Sequence, residues 1–175
     1  MPRIPQDRLL FFTRTMLSLL LGLTLIAGAV ALLTIPVLLT KQDDVVAELA
    51  AKGIDPAGIS SIALLLALAG AIAMLAFFFL RQLRRIVDSV ADGDPFIPTN
   101  ADRLKAMGWL ALAMQALVIP ATGLVIWFDA LPQKPNVHYS DNTSLGGLIL
   151  AMLLFVLARV FRVGSAMREE LEGTV

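Results

Sequence analysis

The chain has 175 residues, of which 58% are hydrophobic and only 16% charged, with a mean hydropathy of +0.80. That composition excludes an ordinary soluble domain and points to a bilayer as solvent. The 14 basic and 14 acidic side chains balance, and the absence of cysteine excludes disulfides and thiolate metal sites.

Three runs carry no charge: 17–39, 59–80 and 106–128. Each is longer than the roughly 20 residues that a helix needs to cross a hydrocarbon core. Ahead of the first, Arg3, Arg8 and Arg14 precede an apolar stretch with Ala29-Val30-Ala31, the layout of a cleavable signal peptide. Apolar character continues to Leu39, which favours a retained helix. Pro36 is expected to bend this helix or end its regular hydrogen bonding. The connection 41–58 contains DDVVAELAAKG, which predicts a brief helix with Asp43 and Asp44 at its start and Gly53 as its stop, ahead of Pro56.

The second run continues as a helix beyond the membrane through RQLRRIVDSV, where Leu83, Val87 and Val90 recur at helical spacing. Gly93 then supplies a stop, Pro95 enforces it, and Asn100 is positioned to cap a new helix whose first turn carries Asp102. Phe96 is expected to fold back onto the apolar stripe rather than stand in water. This corner, 81–105, reads either as a rigid hairpin between spans or as a corner that also presents a docking surface.

In the third run the most polar side chain is Gln115, five residues before Pro120. It is expected to bond across to a neighbouring helix, to Thr24 or Thr34, the other reading being a pore or ligand contact. The next connection, DALPQKPNVHYSDNTS, has the prolines and turn residues of an irregular loop. Its His138, beside Tyr139 and Asp141, reads as a surface histidine, because a metal site needs further ligands.

The fourth run, 145–158, spans only if its helix continues to about Val163 while Arg159 and Arg162 snorkel. Val160, Val163, Met167 and Leu171 then form an apolar seam on a helix leaving the membrane. That seam is expected to pack on the Leu83 stripe of the same molecule, with a groove or partner helix as the alternative. Small residues at Ala63, Ala67 and Ala71, and at Gly147 and Ala151, allow close helix approach. They serve folding of the monomer or self-association, so a homo-oligomer stays open. Spans two and four both end in Arg-x-x-Arg, at Arg81/Arg84 and Arg159/Arg162, for which snorkelling anchors are a simpler reason than an internal repeat.

Orientation follows from the basic residues. Arg3, Arg8 and Arg14, then Arg81, Arg84, Arg85, Arg103 and Lys105, then Arg159, Arg162 and Arg168 fall on one side, against Lys41, Lys52 and Lys134 on the other. The positive-inside rule puts both termini and the 81–105 corner in the cytoplasm. The expected fold is therefore all-α: one polytopic four-helix transmembrane domain, 1–175, with spans at about 17–39, 59–80, 106–128 and 145–163, N-in and C-in. The expected location is a bacterial cytoplasmic (inner) membrane, and the cytoplasmic tail is 164–175.

Chemistry has little support. No Ser/His/Asp order, phosphate loop or dinucleotide turn occurs, so an enzyme is not expected, nor a cofactor or metal. None of the four runs holds an acid, base or histidine of the kind that ion-coupled transport requires.

The order LRQLRRIVDSVADGDPF, then NADRLKAMGW, then LARVFRVGSAMREELEGTV resembles a bacterial four-span membrane family, domain of unknown function 2975. Its Gly-x-Pro-Phe turn falls at Gly93, Pro95 and Phe96, and its Asn-Ala-x-Arg-Leu helix start, with a nearby Gly, at Asn100, Ala101, Arg103, Leu104 and Gly108. The tail pattern falls at Val160, Phe161, Arg162, Gly164, Glu169, Glu170, Thr174 and Val175. Members of this family are often encoded beside a small helix-turn-helix regulator. The resemblance thus implies a membrane partner that binds, and sequesters, such a regulator without touching nucleic acid itself. Phe96, Asn100, Arg103, Phe161, Arg162, Glu169 and Glu170 are the expected contacts, with the aromatics as anchors and the charges for orientation. The competing expectation is a small channel, transporter or accessory subunit, centred on Gln115 and Pro120.

Overall fold

The computed structural model describes residues 8–51, 58–129 and 145–172. Five helices follow one another: α1 (Arg8–Thr40), α2 (Gln42–Ala51), α3 (Gly58–Ala91), α4 (Pro98–Asp129) and α5 (Gly146–Glu172). No strand occurs among the described residues. The four long helices hold apolar segments able to cross a membrane, which makes this a multi-pass membrane protein. Lengths of 33, 34, 32 and 27 residues correspond to about 40–50 Å at 1.5 Å per residue, well beyond the ~30 Å hydrocarbon core. The excess of α3, α4 and α5 stands outside the apolar layer at the arginine-rich end.

Helix α2 forms where the sequence predicts it, with Asp43 and Asp44 in its first turn facing the positive end of its dipole. The expected stop at Gly53 and Pro56, the His138 loop and the terminal Thr174-Val175 lie outside the described residues. Neither in-span proline ends a helix. Pro36 lies inside α1, which continues to Thr40, and Pro120 lies inside α4, which continues to Asp129. In hydrocarbon, stopping a helix would strand several backbone groups, whereas running through a proline loses one bond. The short fourth run is also settled: α5 passes through Arg159, Arg162 and Val163 without a break to Glu172.

The spans do not close into the bundle that their number suggests. Extensive packing joins α1 to α3, α3 to α4 and α4 to α5, giving a row in which α1 and α5 are the two ends. Leu19, Leu23, Ile26 and Leu33 on α1, and Ile149, Met152, Leu153 and Val156 on α5, are therefore exposed. Lipid is as apolar as these side chains, so leaving them exposed carries no hydrophobic penalty. Where α1 crosses α3, a methyl added at Gly28 would sit 3.4 Å from Ala73 Cβ, and one at Gly70 would sit 3.1 Å from Leu32. The helices meet there nearly backbone to backbone.

The best-packed region gathers Ile86, Leu104, Met107, Ala111, Ala151, Leu154 and Ala158 from α3, α4 and α5. The Phe155 ring lies directly over Gly108, where an added Cβ would approach Cε1 to 2.8 Å, and Trp109 meets the same ring edge-on with centroids 5.5 Å apart. Gln115 does not reach Thr24 or Thr34. The Thr24 and Thr34 hydroxyls donate to carbonyls of their own helix, at Leu20 (3.0 Å) and Val30 (2.7 Å). Gln115 packs instead against Gly147 of α5, because α4 lies beside α5 and not beside α1.

Candidate functional site at the corner between α3 and α4

The corner begins with a helix stop built on left-handed backbone. Gly93 has φ +85°, its N–H donates to Val90 O (3.1 Å), and the Asp94 N–H donates to Ser89 O (3.0 Å). This paired pattern satisfies the last carbonyls of α3, and a glycine adopts the required backbone without steric cost. Pro98 opens α4, where its missing N–H costs nothing.

Asn100 does not cap α4 as its residue type suggests. The helix has already started two residues earlier, and the Asn100 N–H donates to Ile97 O (2.9 Å). Its side chain is fully buried (0% exposed) and points back at α3. Nδ2 donates to Ser89 Oγ (2.6 Å) and to Pro95 O (2.8 Å), while Oδ1 accepts from Arg103 Nη1 (2.8 Å). The Ser89 hydroxyl in turn donates to Ile86 O (2.7 Å), and Arg103 Nη1 also donates to Arg85 O (3.1 Å). Every polar end of the buried amide is met, so the network locks the corner at low desolvation cost.

The α5 tail is latched to this corner. Phe96 leaves the α3 stripe and lies against Phe161, with ring centroids 5.2 Å apart. Gly164 provides the flat place for the ring: an added Cβ would come within 3.1 Å of Phe96 Cδ1. Asp102 of α4 accepts from Arg162 Nη2 at 2.7 Å, and Asp94 pairs with Arg168. A further ion pair, Arg14 Nε to Asp88 Oδ1 at 2.7 Å, ties α1 to α3 nearby.

These contacts settle which way α5 faces. Ala158, Phe161, Gly164, Ser165 and Arg168 share its inner side, with Ala158 and Ser165 buried. Val160, Val163, Met167 and Leu171 fall outside that side and are exposed, Met167 at 60% and Leu171 at 72%. The seam therefore does not pack on Leu83, which instead joins the core of α3, α4 and α5.

Among the residues that sequence singles out, the structure thus joins Asn100 to Arg103 and Phe96 to Phe161, and engages Arg162 with Asp102. Glu169 and Glu170 lie at the exposed end of α5. Sequence reading missed Ser89, Asp94, Gly164 and Arg168 as partners. The ion pairs join positions 60 and 74 residues apart, and no local pattern reports such a separation. Among the described residues no cluster of His, Asp or Glu could hold a metal ion.

The corner, its lock and the latched tail all lie inside the segment that matches a known family model, described as a protein of unknown function (DUF2975), over residues 38–175. The chain belongs to that family. The matched segment runs from the last residues of α1 through α5, so the family pattern covers α2, α3, α4 and α5 and leaves most of α1 outside. No curated protein and no solved structure matches the chain.

Proposed function

We propose that this family member is a non-enzymatic anchor in a bacterial cytoplasmic membrane. Both termini and the arginine-rich corner face the cytoplasm, and the latched tail binds and sequesters a small helix-turn-helix regulator. The observation that carries this reading is the exposed pair Met167 and Leu171, on a helix held firmly to the corner and beyond the membrane-edge arginines Arg159 and Arg162. Apolar side chains arrayed on one face of a water-side helix mark a protein contact, and methionine adapts to a partner's surface. Glu169 and Glu170 add negative charge there, which complements the basic face that a DNA-binding module carries. A regulator held by that face would be unable to reach DNA.

The contacts differ in part from those expected on sequence grounds. Phe96, Asn100, Arg103, Phe161 and Arg162 hold the platform in shape, and the tail seam with Glu169 and Glu170 makes the contact. The test is co-purification of the full chain from native membranes in mild detergent, with bound proteins identified by mass spectrometry. A stoichiometric helix-turn-helix protein is expected with the native chain and lost from M167E/L171E, which should still insert in the membrane. Retention by the double variant would reject the tail seam, and absence of any such regulator would reject the anchoring role.

A further inference from the structure

The boundary between α1 and α3 holds a groove of about 430 Å³ at the arginine-rich end. Its lower wall is apolar, formed by Leu21 and Leu25 of α1 and Phe77 of α3. Its rim carries Arg81, Arg84 and Arg85. The positions 77, 81, 84 and 85 recur at helical spacing, so one face of α3 passes from an aromatic ring to guanidinium groups where the uncharged run ends. Gly22 keeps the α1 wall low: a Cβ built there meets nothing within 4 Å.

We propose that this groove binds an anionic phospholipid, with its phosphate held by Arg81, Arg84 and Arg85 and an acyl chain laid along Leu21, Leu25 and Phe77. Among the described residues none of the three guanidinium groups has an ion-pair partner in the protein. The one acid lining the groove, Asp88, is already paired with Arg14 at 2.7 Å, so an excess of positive charge faces the opening. The same pair fastens α1 to α3 and holds the two walls together. Guanidinium groups meet phosphate oxygens through parallel hydrogen bonds, and basic pockets between spans recognise anionic headgroups in this way. The apolar wall beneath selects an amphiphile over a free anion. A smaller groove of about 170 Å³ between α4 and α5 also has basic residues, but its Arg162 is engaged by Asp102. The inference rests on α1 and α3 and is independent of the regulator contact proposed for α5.

The test uses full-length protein in mild detergent, titrated with phosphatidylglycerol or phosphatidylcholine and read by native mass spectrometry. Phosphatidylglycerol should be retained about tenfold better than phosphatidylcholine, and R81Q/R84Q/R85Q should lose that preference. Gly22→Leu fills the groove with its charges intact, in a position where the fold has room. It should lower phosphatidylglycerol retention by a similar factor if the groove itself is the site. Equal retention of the two lipids, or native retention by Gly22→Leu, would overturn the proposal. So would displacement of phosphatidylglycerol by millimolar inorganic phosphate, which would make the arginines a site for the free anion.

Discussion

Asn100 Nδ2 donates to Ser89 Oγ across 2.6 Å, joining the first turn of α4 to the last turns of α3 from a fully buried position. The same nitrogen donates to Pro95 O, and the amide oxygen holds Arg103, so one side chain fixes both helices and the turn between them. The row of spans depends on that corner, because α5 and its tail are aligned by contacts to Asp94, Phe96 and Asp102.

Asn100→Leu leaves the Ser89 hydroxyl without its amide donor and Arg103 without its side-chain acceptor, and should cost about 2 kcal/mol. Asn100→Asp should be destabilising as well, since a carboxylate cannot donate to Pro95 O. Thermal unfolding of detergent-solubilised protein measures both. Native melting of Asn100→Leu would show that apolar packing alone holds the corner.

At Gly93 the positive φ makes the helix stop sensitive to a side chain. Gly93→Ala should destabilise by about 1 kcal/mol, and Gly93→Asn by less, because asparagine tolerates left-handed backbone. The order of the two melting temperatures checks the assignment.

Gly108→Ala pushes a methyl to 2.8 Å from the Phe155 ring, itself packed against Trp109. Overpacking of this kind should cost about 1–3 kcal/mol. Adding Phe155→Leu should recover part of it, and a double-mutant cycle in thermal stability would show coupling between the two positions. Strict additivity would place the clash elsewhere.

The Asp94–Arg168 pair is partly exposed, with side chains 41% and 45% accessible, so its contribution to global stability should stay below about 1 kcal/mol. Its effect should appear locally. D94K should speed limited proteolysis of the α5 tail, and D94K/R168E should restore the native rate. Equal rates in all three proteins would show that the Phe96–Phe161 contact suffices as the latch.

The natural absence of cysteine gives a clean probe of orientation. Leu171→Cys, at an exposed position, should react with a membrane-impermeant maleimide only after the inner face is opened. Labelling in intact spheroplasts would invert the topology and remove the tail from the cytoplasm.

Much of the fold was legible in the sequence, for reasons that act locally. Uncharged runs long enough to cross hydrocarbon identify the spans, and the spacing of Leu83, Val87 and Val90 carries α3 past the membrane. Gly93 marks its stop, since few other residues adopt that backbone. The acidic pair Asp43 and Asp44 likewise marks the start of α2.

The site was less legible, because its partners are distant in sequence and its side chains have more than one use. Asn100 has the chemistry of a cap, but with α4 starting at Pro98 it becomes a buried clamp. Phe96 could have covered the α3 stripe, yet Gly164 offers a flatter surface on α5. Gln115 could bond to any neighbouring helix, and only the row order selects α5. The sequence by itself determined how many helices cross the membrane and where the charges gather, because both follow from transfer of side chains between water and lipid. Tertiary structure alone decided that the spans form an open row, which face of α5 is latched and which is left bare, because helix packing in lipid turns on the local fit of small residues and paired polar groups.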